Sequence, residues 1–297
     1  MSEFYQCFDD FYTFSAVFSY VDEVLRIFVQ DFRYFVHMSK VIVEIPKNFV
    51  NGVKPEISSR IVKFLNDGRR FFGSPGAALS QQRDNPAFKD SGINAESASI
   101  GMEGERATAS LLSTWMSDKP DVVAIHSMHV RGAGKEDVDP ETGIIEGGDT
   151  DHMLVIGDEV ILIDSKRWKK GGYSIDDSGK VLRFKKSFAG GNRMHMKQAM
   201  HIWLDYLDSS ARISGIVCVN CEGAYVVRDR NWYTCPYRLV ESDKMVEFLD
   251  DKYSRIGHDH INSTLVSQIV VCCVPPYDPR TRVIPPEVLN RMSGSAA

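Results

Sequence analysis

The stretch that most constrains this chain runs from Gly147 to Lys166. It reads Gly-Gly-Asp-Thr-Asp-His-Met-Leu-Val-Ile-Gly-Asp-Glu-Val-Ile-Leu-Ile-Asp-Ser-Lys. Residues 152–156 are mostly apolar, and 160–163 are wholly apolar and largely β-branched. Between them stands Gly157-Asp158, a dipeptide suited to a two-residue hairpin loop. Such a loop fixes the register. Ile156 falls opposite Glu159, Val155 opposite Val160, and the pairing runs back to Asp151 opposite Asp164. Side chains alternate along a strand, so Asp164 and Lys166 project from the same face.

Facing side chains in an antiparallel pair sit roughly 4.5–5.5 Å apart. Two carboxylates at ~5 Å repel by about 1 kcal/mol in water and about 3 kcal/mol at an effective dielectric of 20. Like charges directly opposite one another destabilise a sheet. A bound cation together with the Lys166 ammonium would reverse the sign. Oxygen ligands at this spacing suit magnesium, which keeps several waters and takes one or two carboxylates.

Asp151, twelve intervening residues and Asp164-Ser165-Lys166 are preceded by Gly101-Met102-Glu103-Gly104-Glu105. Arg167-Trp168 follows, and Gln198 lies on a later helical stretch. This ordered set resembles the PD-(D/E)XK nuclease superfamily and, within it, the nuclease-related domain called NERD. The resemblance covers about residues 98–256. Asp250-Asp251-Lys252 also has the Asp-x-Lys spacing, but within a polar helical pattern. Only Asp164 ends an apolar strand.

The resemblance implies an α/β fold with a restriction-endonuclease-like core. That core is a mixed central β-sheet flanked by helices, preceded here by an aromatic-rich helical N-terminal extension. It implies metal-dependent hydrolysis of phosphodiester bonds in nucleic acid, DNA rather than RNA. Glu105, Asp151, Asp164, Lys166 and Gln198 would be the catalytic set. Magnesium, with manganese as a substitute, would be held by Asp151, Asp164, the Ser165 carbonyl and Glu105. Asp164 departs from the pattern, which more often has Glu; the shorter side chain supplies the same oxygens. The contrasting expectation is a nucleic-acid-binding or assembly module of the same fold that does not cut.

The formal net charge of −5 argues against a bulk nucleic-acid binder, but the charge is unevenly spread. Residues 166–197 hold ten Lys or Arg against two Asp, the electrostatic footprint of a phosphate backbone. Arg167, Lys169, Lys170, Arg183, Lys185 and Lys186 are its candidate contacts. Trp168 is expected either to stack on a base or to cover the core. Backbone contacts carry little sequence information, so weak sequence selectivity is expected.

The rest of the chain divides into three regions. Residues 1–97 read as a helical extension and linker, 98–274 as the nuclease-like domain, and 275–297 as a Pro-rich, disordered tail. Residues 1–36 carry Phe14, Val17, Phe18, Val21, Val24, Leu25, Phe28 and Phe32 at helical spacing, an amphipathic helix for a partner protein surface. Val41–Ile45 reads as a strand and 57–72 as a helix. The polar run 73–100 reads as a surface loop at the domain boundary. A helix is expected over 103–116, with Glu105 in its first turn, where the helix dipole favours a carboxylate. Strands are expected over 122–130, 181–184, 213–219, 224–228 and 265–274. Helices are expected over 192–207 and 242–256. The acidic loop 131–148 reads as an insertion at the mouth of the site. His126 and His129 fall on opposite strand faces, which makes them poor co-ligands.

No apolar run is long and uncharged enough to span a membrane. No leader pattern opens the chain, so a cytoplasmic location is the expectation. The six cysteines are then expected as free thiols. Cys218-x-x-Cys221 with Cys235 lacks the second pair that a zinc site needs.

Overall fold

The computed structural model describes Val53, residues 55–84, 94–130, 150–192, 195–207, 210–256 and 260–274, and Pro276. All fall within one unit, Val50–Ala297. The aromatic segment 1–36, the strand expected over Val41–Ile45, the acidic loop 131–148 and, apart from Pro276, the tail lie outside the described residues.

Six strands form the central sheet. They are β1 (Phe71–Gly73), β2 (Val122–Met128), β3 (Thr150–Ile156), β4 (Glu159–Lys166), β7 (Arg212–Val219) and β9 (Tyr237–Glu241), adjacent in that order. β1 runs parallel to β2, the β2–β3 and β3–β4 pairs are antiparallel, and β4, β7 and β9 run parallel. A second, three-stranded sheet has β5 (Gly172–Ile175) between β6 (Val181–Arg183) and β8 (Tyr225–Val226). The protein is thus an α/β fold with a mixed central sheet flanked by helices.

The hairpin takes the register its loop dictates: Ile156 opposite Glu159, Val155 opposite Val160, and on to His152 opposite Ile163. Gly157 supplies the positive φ, 53°, that the tight loop needs. The pleat divides the apolar side chains of β3 and β4 between two cores. Met153, Val155, Val160 and Leu162 pack on one face and Leu154, Ile156, Ile161 and Ile163 on the other.

The first face is covered in part by α1 (Pro55–Asn66), through Ile61 and Leu65. Two more helices, at Met196–Tyr206 and Ser263–Val270, bring Ile202, Trp203, Leu265 and Ile269 to the same core. The second face is covered by Leu112 and Trp115 of the helix Ala95–Trp115 and by Met245 and Leu249 of the helix Met245–Tyr253. In chain order these are labelled α3 (Ala95–Trp115), α5 (Met196–Tyr206), α7 (Met245–Tyr253) and α8 (Ser263–Val270). The shorter helices are α2 (Ala77–Asp84), α4 (Ala189–Asn192) and α6 (Arg230–Thr234).

Several sequence expectations are corrected. The run 73–100 is not one loop: α2 and the start of α3 lie within it. The expected boundary at residue 97 falls inside the folded unit, because β1 hydrogen-bonds to β2. The helix expected to reach Phe72 ends at Asn66, and Phe71-Phe72 joins the sheet. The stretch 265–274 is not a final strand but mostly helix. Leu265, Val266 and Ile269 are buried at helical spacing, and Asn262 caps the helix by accepting from the Leu265 N–H at 3.1 Å. No helix among the described residues is long and apolar enough to cross a membrane.

Candidate functional site

Asp164 and Lys166 leave β4 on the face that carries Val160 and Leu162. Asp151 lies on the matching position of β3. The Asp164 side chain is 19% exposed and that of Lys166 is 30% exposed. Nζ of Lys166 lies 2.5 Å from Oδ1 of Asp164. The Ser165 N–H crosses the hairpin to donate to Oδ2 of Asp151 at 2.7 Å. On the opposite face the Ser165 hydroxyl meets Nε2 of His152 at 3.1 Å. The start of β3 is further anchored by Trp203, whose indole N–H donates to Oγ1 of Thr150 at 3.0 Å.

Glu105, on α3, feels this cluster electrostatically, through Lys166 and Asp164. It is not in the first turn, since the helix begins at Ala95 behind an Asn94 cap, about three turns earlier. The macrodipole of α3 therefore does not hold it. A donor from elsewhere does: the Gly76 N–H, immediately before α2, donates to Oε2 of Glu105 at 2.7 Å. The Ser127 hydroxyl braces the same turn, donating to the Ser74 carbonyl at 2.9 Å and accepting from the Ala77 N–H at 3.1 Å. Of the two glycines before Glu105, Gly101 makes room. A Cβ on Gly101 would lie 2.7 Å from Cδ1 of Leu79 on α2, and one on Gly104 would lie 3.4 Å from Cβ of Arg167. The close approach is that of Gly101 to α2; at Gly104 a Cβ would be in ordinary van der Waals contact.

The four groups act on one another electrostatically. Burial pushes the Glu105 carboxyl up to about 7, against the opposing pull of the Gly76 N–H and the Lys166 ammonium. Burial likewise holds Asp151 well above the ordinary carboxylate range, with repulsion from Glu105 and Asp164 added. For Lys166 burial works against the charge, but Asp164 and Asp151 outweigh it and raise its pKa. Three carboxyls therefore face one ammonium. Burial above all leaves Glu105 and Asp151 holding their protons more tightly than ordinary carboxyls. As placed, no three His, Cys, Asp or Glu side chains among the described residues converge tightly enough to cage a metal ion. The oxygen donors themselves are of the type that magnesium takes.

Gln198 stands apart. It is half-buried on α5, whose core face is Met196, Ala199, Ile202 and Trp203. Among the described residues no hydrogen bond ties it to any of the carboxylates. The expectation that it orients a site group has no contact behind it.

Behind the hairpin lies a feature that the sequence reading missed. His126 and His152 face each other across β2 and β3, with Nδ1 to Nδ1 at 2.8 Å. Burial pulls His126 down to about 4. Burial and its neighbour hold His152 well below the ordinary imidazole value. Both rings are thus neutral, and they continue through Ser165 to the strand that carries the carboxylates. The signal was present in the hairpin register, which puts His152 on the face opposite Asp151. No sequence signal linked Gly76 to Glu105.

Of the basic candidates, Arg167, Lys169, Lys170, Lys185 and Lys186 are exposed and Arg183 is half-buried. Arg167 forms an ion pair with Glu103, and the Arg183 guanidinium donates to the Lys170 carbonyl. No acidic side chain among the described residues pairs with Lys170, Lys185 or Lys186. Trp168 packs on Tyr173 and Phe188, with ring centroids 5.1 Å away in each case, and so serves the small sheet rather than standing free. Cys218, Cys221 and Cys235 are free thiols, and burial pushes Cys218 up to about 12. No protein-family model, curated protein or solved structure matches the chain, so its own residues carry the chemical reading.

Proposed function

We propose that the protein is a magnesium-dependent nuclease of the NERD type, with a restriction-endonuclease-like core, hydrolysing phosphodiester bonds in DNA with weak sequence selectivity. The single observation that carries this reading is the placement of Asp151, Asp164 and Lys166 at one end of a hairpin, with the Lys166 ammonium on Asp164 and the Ser165 N–H on Asp151. Asp151 and Asp164, with the Ser165 carbonyl and Glu105, would hold magnesium. A metal bound there acidifies a water and stabilises charge on phosphoryl oxygens. Lys166 keeps its proton, since its pKa is raised. It therefore orients the water and steadies the developing charge rather than abstracting a proton. Glu105, whose carboxyl is raised to about 7 by burial, would give up its proton when it joins the metal ligands. Lys169, Lys170, Lys185 and Lys186 hold the substrate backbone.

One observation favours a second reading, a nucleic-acid-binding module that does not cut. The Lys166 ammonium already sits on Asp164, so that carboxylate has a partner without any metal. Incubation with circular and linear DNA and RNA, with and without magnesium, separates the two. The nuclease reading expects magnesium-dependent nicking or shortening that is lost in K166A. Equal cleavage by K166A would assign it to another source, and salt-sensitive binding without cleavage would leave the binding module.

A further inference from the structure

The small sheet carries a feature that the carboxylate cluster does not use. β6 ends in a two-residue turn in which the Arg183 N–H donates to the Lys186 carbonyl at 2.9 Å and the Lys186 N–H returns to the Arg183 carbonyl at 3.0 Å. Phe184 and Lys185, the residues at its tip, both adopt positive φ, 50° and 59°. A turn with this backbone favours Asn-Gly. A bulky ring and a long cation are held there against local preference, and strain of this kind points to a use for the side chains.

The Phe184 ring is not serving the core. It is 58% exposed, and the Arg183 guanidinium lies 5.3 Å from its centroid. A Cβ on Gly171 would lie 3.1 Å from two atoms of that ring, while one on Gly172 would lie 2.6 Å from the ring of Tyr225. Tyr225 is 54% exposed. Two open aromatic rings therefore flank the Gly171-Gly172 dipeptide. The stem of Lys170 lies against Gly223, two residues before Tyr225, and the exposed Lys185 and Lys186 directly follow Phe184.

We infer that Phe184 and Tyr225 form a stacking platform for unpaired bases, and that the nucleic acid taken up by this protein is single-stranded or has a single-stranded end. This deepens the nucleic-acid reading above and rests on it. Lysines alone would suffice for a duplex, whose phosphates are exposed and whose bases are already stacked. An exposed ring can stack on any base that has a free face. The surrounding cations follow the backbone of the same strand.

The test is anisotropy with a labelled oligothymidine and a blunt duplex of equal length, in a chelator so that cutting cannot interfere. F184N keeps every charge and places a residue at the tip that tolerates the left-handed region. Its melting temperature should match or exceed that of the wild type, while single-strand affinity falls roughly tenfold and duplex affinity stays within about twofold. Y225L should also weaken the single strand selectively. Unchanged single-strand binding in both variants, or equal loss on both probes, overturns the platform. A wild-type protein that binds neither probe overturns both this inference and the nucleic-acid reading. If the wild type and K166A bind the single strand alike but magnesium elicits no cleavage, the hydrolase reading fails and the platform stands.

Discussion

Lys166 Nζ and Asp164 Oδ1, two positions apart on one strand, are in direct contact at 2.5 Å, while Asp151 and Glu105 both act on the same ammonium. Lys166→Ala removes the only cation from a cluster of three carboxyls. Leaving a partly buried charged group without its partner costs about 1–3 kcal/mol, so chemical denaturation should show a loss of that size. Cleavage should fall about 10²–10³-fold, the usual effect of deleting one charge-stabilising donor, while nucleic-acid binding persists. A variant as stable as the wild type would mean that the ammonium is solvated rather than buried among the acids.

Glu105 makes a pH signature of opposite sense to an ordinary ion-paired carboxylate. Its folded pKa, about 7, exceeds its ordinary value near 4.5, so the folded chain binds this proton more tightly. The stabilisation is full below the unfolded pKa and is lost as pH rises through 7. Glu105→Gln is neutral at every pH and can still accept from the Gly76 N–H. Relative to the wild type it should gain stability between pH 5 and pH 8, on the order of 3 kcal/mol for a shift of this size. Paired denaturation curves at the two pH values measure it. A difference that does not change with pH would place Glu105 in water.

The histidine pair should act in the other direction. An imidazole kept neutral by burial loses ground as pH falls below its unfolded value near 6.5 toward the folded value of about 4 for His126. At neutral pH, His152→Phe leaves Nδ1 of His126 and the Ser165 hydroxyl without their partner, at about 1–3 kcal/mol. The double substitution with His126→Phe should cost less than the single one, because both ends of the imidazole contact are then apolar. It should also remove most of the decline between pH 6.5 and 5. A double variant worse than the single would mean that volume, not hydrogen bonding, governs this part of the core.

The hairpin was legible because two constraints coincided there. The Gly157-Asp158 loop fixed the register, and the apolar runs fixed the strand lengths. Nothing comparable fixed β5 or β9, which are four and five residues long and lack an alternating pattern strong enough to declare a strand. Leu265 to Val274 was misread because a continuous apolar run suits a buried strand and a buried helix equally; the deciding signal was Asn262, a capping residue three positions before Leu265. Asn262→Ala should therefore cost about 1 kcal/mol, seen as a lower denaturation midpoint. For Glu105 the helix-dipole expectation fails. Its helix begins earlier than the glycines suggest, and its actual donor, Gly76, comes from a turn that reads as a terminator. A hydrogen bond between residues 29 apart in the chain leaves no trace in local spacing.

Magnesium should raise the melting temperature, and the size of the rise should depend on pH. A ligand at about 100 times its dissociation constant stabilises by about 2.7 kcal/mol, roughly 5–10 °C for a domain of 150–250 residues. An ion bound by Asp151, Asp164 and Glu105 must displace the protons that burial and mutual repulsion hold on Asp151 and Glu105. The shift should therefore be small at pH 6 and grow by pH 8. Asp151→Asn and Asp164→Asn should each abolish most of it, whereas Gln198→Ala, with no contact to these groups, should leave it intact. Thermal unfolding monitored by intrinsic fluorescence across that pH range supplies the measurement. Calcium serves as a control ion, since its preference for more oxygen ligands and longer contacts should give a different shift at the same concentration. A magnesium effect that persists in both Asp variants, or that is flat with pH, would locate the ion somewhere other than the end of this hairpin.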